Sequence, residues 1–479
     1  MTAPAPPQRV AIVTLGCGRN EVDSENAAGL LAASGYQLVD DPEQADAVLV
    51  NTCAFIEAAK RESIETVLDA AALKQDGRAR KVLVMGCLAE RYTEELRAEL
   101  PEADAVVPFG DYGRLPVLLG GVPGQAGGAT PPPAVPVPVV PAGRRALPMV
   151  FPTPATAAFP PRAPARSPVA MVKLAEGCDR DCSFCAIPSF RGPFRSRRPT
   201  EVLDEVAWLA GQGVSEVCLV AENSTSYGKD LGGREALVHL LRDLAGVEGL
   251  RRVRLNYLQP DELTEGLLEE MAASPVVCSY FDLSLQHASA PVLRRMRRGG
   301  SRAAFLELVR RIRDLDPDAA FRSNFIVGFP GERAADVREL EDFLEAARLD
   351  WVAFFAWSPE DGTAALSLDR RVPAATARDR VERLQELQDR ILGEVQAGWV
   401  GRELELLVER TGAPRAAAAG APPAGVTAEG RSFREGVDAD GVVRVEDCQA
   451  QVGDYLPVVV TAAEGPELVA RPVRAVPVP

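Results

Sequence analysis

Twice along this 479-residue chain, short runs rich in β-branched residues alternate with helical stretches, and that alternation restricts the fold more than any other feature. In the first stretch RVAIVTL, DAVLVNT and KVLVMG are separated by SENAAGLLAASG and an amphipathic segment near 55–74. Strand and helix in regular succession predict an open parallel sheet with right-handed crossovers. A second series, VAMVKLA, SEVCLVA, RVRLNYL, YFDLSLQ, FRSNFIV and WVAFFAW, is again interrupted by helical segments such as TEVLDEVAWLAGQG. Six such units predict a partial (β/α)6 barrel with its site at the carboxyl ends of the strands.

Between the two series, from Val117 to Ala175, there is no Asp or Glu, and Pro, Ala and Gly crowd together. That composition predicts an extended linker. After a helical stretch near 374–398 the chain turns to LELLVE, GVVRVED and LPVVVTAA, a small all-β domain interrupted by the surface loop TGAPRAAAAGAPPAG. The expected organisation is an α/β chain with an N-terminal domain over 1–116, a linker over 117–167, a central domain over 168–395, a β-domain over 396–467 and a tail over 468–479.

Six of the nine cysteines fall into two groups. Cys178, Cys182 and Cys185 have the spacing C-x3-C-x2-C in a loop directly after an expected strand. Three soft thiolates in one loop can hold three irons of a [4Fe–4S] cluster and leave the fourth open to a ligand. Zinc is the competing reading, but a structural zinc site takes four ligands and no fourth Cys or His stands nearby, the two histidines being His239 and His287. Cys17, Cys53 and Cys87 each follow one of the first three runs, and strand ends of a parallel sheet share one edge, so these thiols can converge. Buried free cysteine is also common packing material. Cys218, Cys278 and Cys448 lie in or beside apolar runs without partners and read as core.

Phe184 before Cys185 completes the pattern C-x3-C-x-aromatic-C, and here the chain resembles the radical S-adenosylmethionine enzymes. With LGC, NTC and MGC around Cys17, Cys53 and Cys87, it resembles the methylthiotransferases among them over nearly its whole length, the β-domain being similar to the TRAM module. The resemblance implies two [4Fe–4S] clusters, the N-terminal one handling sulfur. It implies that the cluster on Cys178, Cys182 and Cys185 chelates S-adenosylmethionine and cleaves it reductively to a hydrogen-abstracting radical. An electron donor such as flavodoxin or ferredoxin is implied; the sulfur donor is unassigned. CAIPSFRG at 185–192, YFDLSLQHAS at 280–289 and WSPEDGT at 357–363 resemble the branch that modifies an aspartate of ribosomal small-subunit protein uS12, rather than the branch that modifies a transfer-RNA adenosine. AENSTSYG at 221–228 departs from the family's QDT-x-x-YG, with Glu222 and Asn223 in place of the amide and carboxylate; the resemblance carries them over as cofactor contacts together with Phe184 and Arg322, the last of which is equally suited to a structural ion pair.

Charge bears on the same choice. The net charge is −15, and from Gln396 onward 12 Asp and Glu face 8 Arg and no Lys, which suits a basic protein better than a polyanion, although acidity also serves solubility. Two basic runs, RGPFRSRR at 191–198 and RRMRR at 294–298, keep RNA contact open. No signal-like start and no long apolar span appear, so a cytoplasmic enzyme with no membrane partner is expected. A non-catalytic iron–sulfur or zinc binding protein remains the alternative of a different class.

Overall fold

The computed structural model describes residues 8–120, 157–233, 235–412, 426–437 and 439–473. Most of the expected linker and most of the loop at 411–425 lie outside them. No helix among the described residues is long and apolar enough to cross a membrane.

The N-terminal sheet contains β1 (Arg9–Thr14), β2 (Gln37–Leu38), β3 (Ala47–Thr52), β4 (Lys81–Gly86) and β5 (Ala105–Val106), all parallel in the order β2-β1-β3-β4-β5. Alternation along the strands divides the side chains between two cores. Val10, Leu49, Leu83 and Met85 pack with Ala27 and Leu31 of helix α1 (Gly18–Ala33), whereas Ala11, Val48, Val50, Val82 and Val84 pack with Val67 and Ala70 of α2 (Glu57–Asp76). With both faces covered, β3 is buried throughout, which is why its sequence is a continuous apolar run before Asn51 and Thr52. The strand order reverses direction between β1 and β3, and ligands of such sheets sit at the carboxyl edge of that switch point.

The central domain is built on six parallel strands: β6 (Val169–Lys173), then, after the short antiparallel pair β7 (Ala175–Glu176) and β8 (Arg195–Ser196), β9 (Glu216–Val220), β10 (Arg252–Leu255), β11 (Tyr280–Gln286), β12 (Ala320–Val327) and β13 (Trp351–Ala356). They pair as β6-β9-β10 and β11-β12-β13, and the parallel bridges Val253–Val277 and Leu258–Leu283 join the two halves into the expected six-unit partial barrel. One large core fills the space between these strands and the surrounding helices.

The C-terminal domain is a closed five-stranded barrel, β14 (Glu403–Thr411), β15 (Val426–Arg431), β16 (Val443–Glu446), β17 (Tyr455–Glu464) and β18 (Glu467–Pro472). The stretch expected to be a tail from 468 therefore supplies a strand: Gly465, at φ +62°, turns the chain back, and Leu468 and Ala470 enter the barrel core. The segment Arg431–Glu435 leaves this barrel and plugs the bottom of the central one. Arg431 and Arg254 both reach Glu216, Arg434 pairs with Asp350 at 2.8 Å, and all of these side chains are buried. A charge so enclosed is tolerated only with a partner.

Residues 157–167, at the end of the expected linker, are not a spacer. Phe159 packs against Trp208 with ring centroids 5.4 Å apart, and the buried Arg162 pairs with Glu25 of α1 and Glu205 of the central domain. Its backbone runs so close to α1 that a Cβ on Gly29 would stand 2.4 Å from it.

Candidate active site between two cysteine triads

Each strand of the N-terminal sheet that bears a candidate ligand ends in a fixed turn. Gly16 and Gly86 precede Cys17 and Cys87 at φ +98° and +95°, a region that side chains disfavour, and they swing the chain out of the strand. Gly177 does the same before Cys178, at φ +74°. Cys53 follows Thr52 instead, and hydrogen bonds do the work: Thr52 Oγ1 donates to the Met85 carbonyl at 2.6 Å, and the Cys53 N–H donates to Ser63 Oγ at 2.9 Å. Asn20 Nδ2 donates to the carbonyls of Leu15 and Thr52, tying the ends of β1 and β3 to α1.

The three N-terminal thiols lie within electrostatic reach of one another: Cys17 and Cys87 each oppose ionisation of Cys53, and Cys17 opposes that of Cys87. Cys178 and Cys182 act likewise on Cys185, in the excursion between β7 and β8 at the carboxyl end of β6. Burial pushes Cys53 and Cys178 up to about 11 and Cys185 up to about 12, and it raises Cys87 as well. Burial also works against a Cys17 thiolate, but Arg19 and Arg191 together outweigh it and hold that thiol below its ordinary value. Sets of half-buried thiols of this kind ionise when a metal centre supplies the positive charge.

Among the described residues no three His, Cys, Asp or Glu side chains converge on one ion. A four-iron cluster needs no such convergence, because each thiolate binds a different iron. A set of three thiols is therefore compatible with a [4Fe–4S] cluster, which takes one thiolate per iron. His287, the buried histidine, is committed elsewhere, its Nδ1 accepting from the N–H groups of Ala288 and Ser289.

A buried charged seam separates the triads, and most of it was hidden in the sequence. Arg19, from α1, donates to the Ala221 carbonyl at 3.0 Å, approaches Glu222 at 3.4 Å, lies over the Tyr257 ring, helps to lower Cys17 and weakly opposes the rise of Cys185. Lys173 sits 2.5 Å from both Asp23 and Glu176. Arg191 bridges Glu176 at 3.0 Å and Asp23 at 3.3 Å. Of the expected cofactor contacts, only Glu222 lies in this seam. Its carboxylate is enclosed, neither oxygen has a hydrogen bond, and burial raises it despite Arg19 and Arg191.

Asn223 is bound to Ser226, Glu262 and Thr225 in the barrel wall, and Phe184 packs on the central core. Arg322 is paired with Asp282 at 3.5 Å and with Asp440 of the C-terminal domain at 3.2 Å. The basic runs are largely consumed internally as well. Arg191 and Arg197 are buried in ion pairs, Arg295 pairs with Asp369, and Arg298 donates to the Ser284 carbonyl. Glu360 of the SPEDGT segment is also an internal partner, fastening the N-terminal domain through Arg91 at 2.9 Å and Lys60 at 3.1 Å.

A model described as "Radical SAM superfamily" matches residues 172–344, and "Uncharacterized protein family UPF0004" matches residues 9–108. The radical S-adenosylmethionine methyltransferase TsrM from Kitasatospora setae, solved with cobalamin and a [4Fe–4S] cluster bound, is 17% identical, with a TM-score of 0.50 over 73% of this chain and 72% of its own, a likeness of fold alone. Two curated relatives, each named ribosomal protein uS12 methylthiotransferase RimO, come from a Nocardioides species and from Saccharopolyspora erythraea. Both are 48% identical, the first over 98% of this chain and 99% of its own, the second over 99% and 97%. With both domains matched and the relatives aligned end to end, the chain belongs to the RimO family of radical S-adenosylmethionine methylthiotransferases.

Proposed function

We propose that this enzyme attaches a methylthio group to the β-carbon of an aspartate in ribosomal protein uS12, using S-adenosylmethionine and two [4Fe–4S] clusters. Cys17, Cys53 and Cys87 hold one cluster, and Cys178, Cys182 and Cys185 hold the other. The observation that carries this reading is the pair of thiol triads on either side of one buried charged seam, in a chain whose near full-length relatives bear the uS12 name. When bound, these groups supply the sulfur, the methyl group, and the electron and radical chemistry needed to break an unactivated C–H bond.

The chain's own residues enclose and orient that chemistry. Helix α1 lies against β6 and places Arg19 at the barrel mouth, while Arg91 and Lys60 clamp the 358–361 loop. Both contacts hold the N-terminal domain against the central one. Arg19, Arg191 and Lys173 balance the charge of Asp23, Glu176 and Glu222 across the seam.

A basic protein substrate suits the C-terminal barrel, whose two most buried arginines, Arg431 and Arg434, are withdrawn into ion pairs while Glu403, Glu405 and Glu464 face solvent. A flavodoxin or ferredoxin is the class of electron donor. The test is the mass of uS12 from cells lacking this enzyme: loss of one methylthio group, restored by the wild-type gene, is expected. An unchanged uS12 mass, with a methylthio group missing from transfer RNA, would overturn the substrate assignment.

A further inference from the structure

We propose that Arg191, a residue of the central domain, raises the reduction potential of the cluster held by the N-terminal domain. The inference rests on the assignment of Cys17, Cys53 and Cys87 as ligands of a [4Fe–4S] cluster. Arg191 lies six positions beyond Cys185 in the chain, yet its Nη2 donates to the sulfur of Cys87, 3.2 Å away across the domain boundary.

The guanidinium has no freedom to leave. Nη2 also donates to Asn20 Oδ1 at 3.0 Å, Nη1 donates to Glu176 Oε2 at 3.0 Å, and the group lies 4.6 Å from the centre of the Phe109 ring. Only 5% of the residue is exposed. Lys173, set against both Asp23 and Glu176, keeps those carboxylates from claiming the whole of its charge.

A charge-assisted N–H donor on a ligand sulfur withdraws electron density from that sulfur. The reduced cluster carries one more negative charge than the oxidised one, so it gains more from the donor, and burial enlarges the difference. Arg191 is thus a tuning residue acting through Cys87, and it places the redox poise of one domain under the control of a side chain from the other. A contact that merely glued the domains together would leave the potential where it is.

The test is a potentiometric titration followed by electron paramagnetic resonance, on chains that also carry Cys182→Ala so that the N-terminal cluster alone is observed. The Cys182→Ala parent should hold about four irons per chain; a parent without iron would show that the N-terminal cluster does not assemble on its own and would overturn the independent cluster on which the proposal rests. In Arg191→Gln the midpoint should move to more negative potential with iron content unchanged, and Arg191→Lys should move it in the same direction by less. A midpoint equal to the parent's in iron-replete Arg191→Gln would overturn the proposal. Loss of iron from both variants would overturn it too, making Arg191 a residue of cluster assembly.

Discussion

The two cysteine triads are assembled by opposite routes. Cys178, Cys182 and Cys185 lie within eight residues of one another on one loop, whereas Cys17, Cys53 and Cys87 are spread over 71 residues and meet because three parallel strands end at one edge. A local triad is fixed by its own spacing. A dispersed one exists only while a sheet, its register and its strand-end turns are intact, so its ligands are as sensitive to backbone changes as to the loss of a thiol. The charged seam adds a second contrast, because each domain lends an arginine to the other: Arg19 reaches the local triad and Arg191 the dispersed one.

The largest effect expected from breaking one side of this comparison comes from Cys182→Ala. Deoxyadenosine formation should fall to background while iron drops from about eight to about four per chain, the remainder being the dispersed cluster. Iron falling to none would mean that the triads do not assemble independently.

Backbone substitutions sharpen the contrast at a smaller scale. Gly86→Ala places a Cβ 2.4 Å from the Thr52 carbonyl oxygen in a positive-φ turn, and Gly177→Ala places one 2.2 Å from the Pro193 carbonyl oxygen. The strained conformation alone costs about 1–3 kcal/mol in each case. Gly86→Ala should lower the thermal midpoint and selectively deplete the dispersed cluster, and Gly177→Ala should deplete the local one. Iron content measured in the Cys182→Ala and Cys53→Ala backgrounds separates the two losses.

How far each triad could be read in the sequence follows from the same difference. The C-x3-C-x2-C loop and the strand ends after RVAIVTL, DAVLVNT and KVLVMG were visible because spacing and periodicity are local properties. The seam was not visible: Arg19, Asp23, Lys173, Glu176 and Arg191 look like ordinary surface charges until contacts between residues as far apart as Asp23 and Arg191 bury them. Arg162 was hidden for a related reason, since Pro/Ala-rich surroundings reveal nothing about one ion pair that docks the strand of chain around it. The final barrel strand escaped because its six residues end in Arg-Pro and carry little alternation of their own. Arg322 was legible only as a strand arginine suited to a carboxylate, and the carboxylates it meets in the fold are those of Asp282 and Asp440.

The far end of the barrel is the control, where a perturbation should treat both triads alike. Burial alone would raise the Glu216 carboxyl, but Arg431, Arg254 and Arg252 outweigh it and hold the group at about 2. A folded-state value below the unfolded one means that the ion pairs stabilise fully above the ordinary carboxylate range and lose that contribution as pH falls toward about 2. The thermal midpoint should therefore decline between pH 5 and pH 3 more steeply in the wild type than in Glu216→Gln, roughly. Parallel slopes would remove Glu216 as the acid-sensitive link to the C-terminal barrel.

The central claim is that one triad makes the radical and the other supplies the sulfur. Its most direct test is a single reaction of reconstituted Cys53→Ala with uS12, S-adenosylmethionine and reductant, read for deoxyadenosine and for the mass of uS12. Deoxyadenosine with no methylthio group on uS12 is the predicted result; methylthiolated uS12 at the wild-type yield would contradict it.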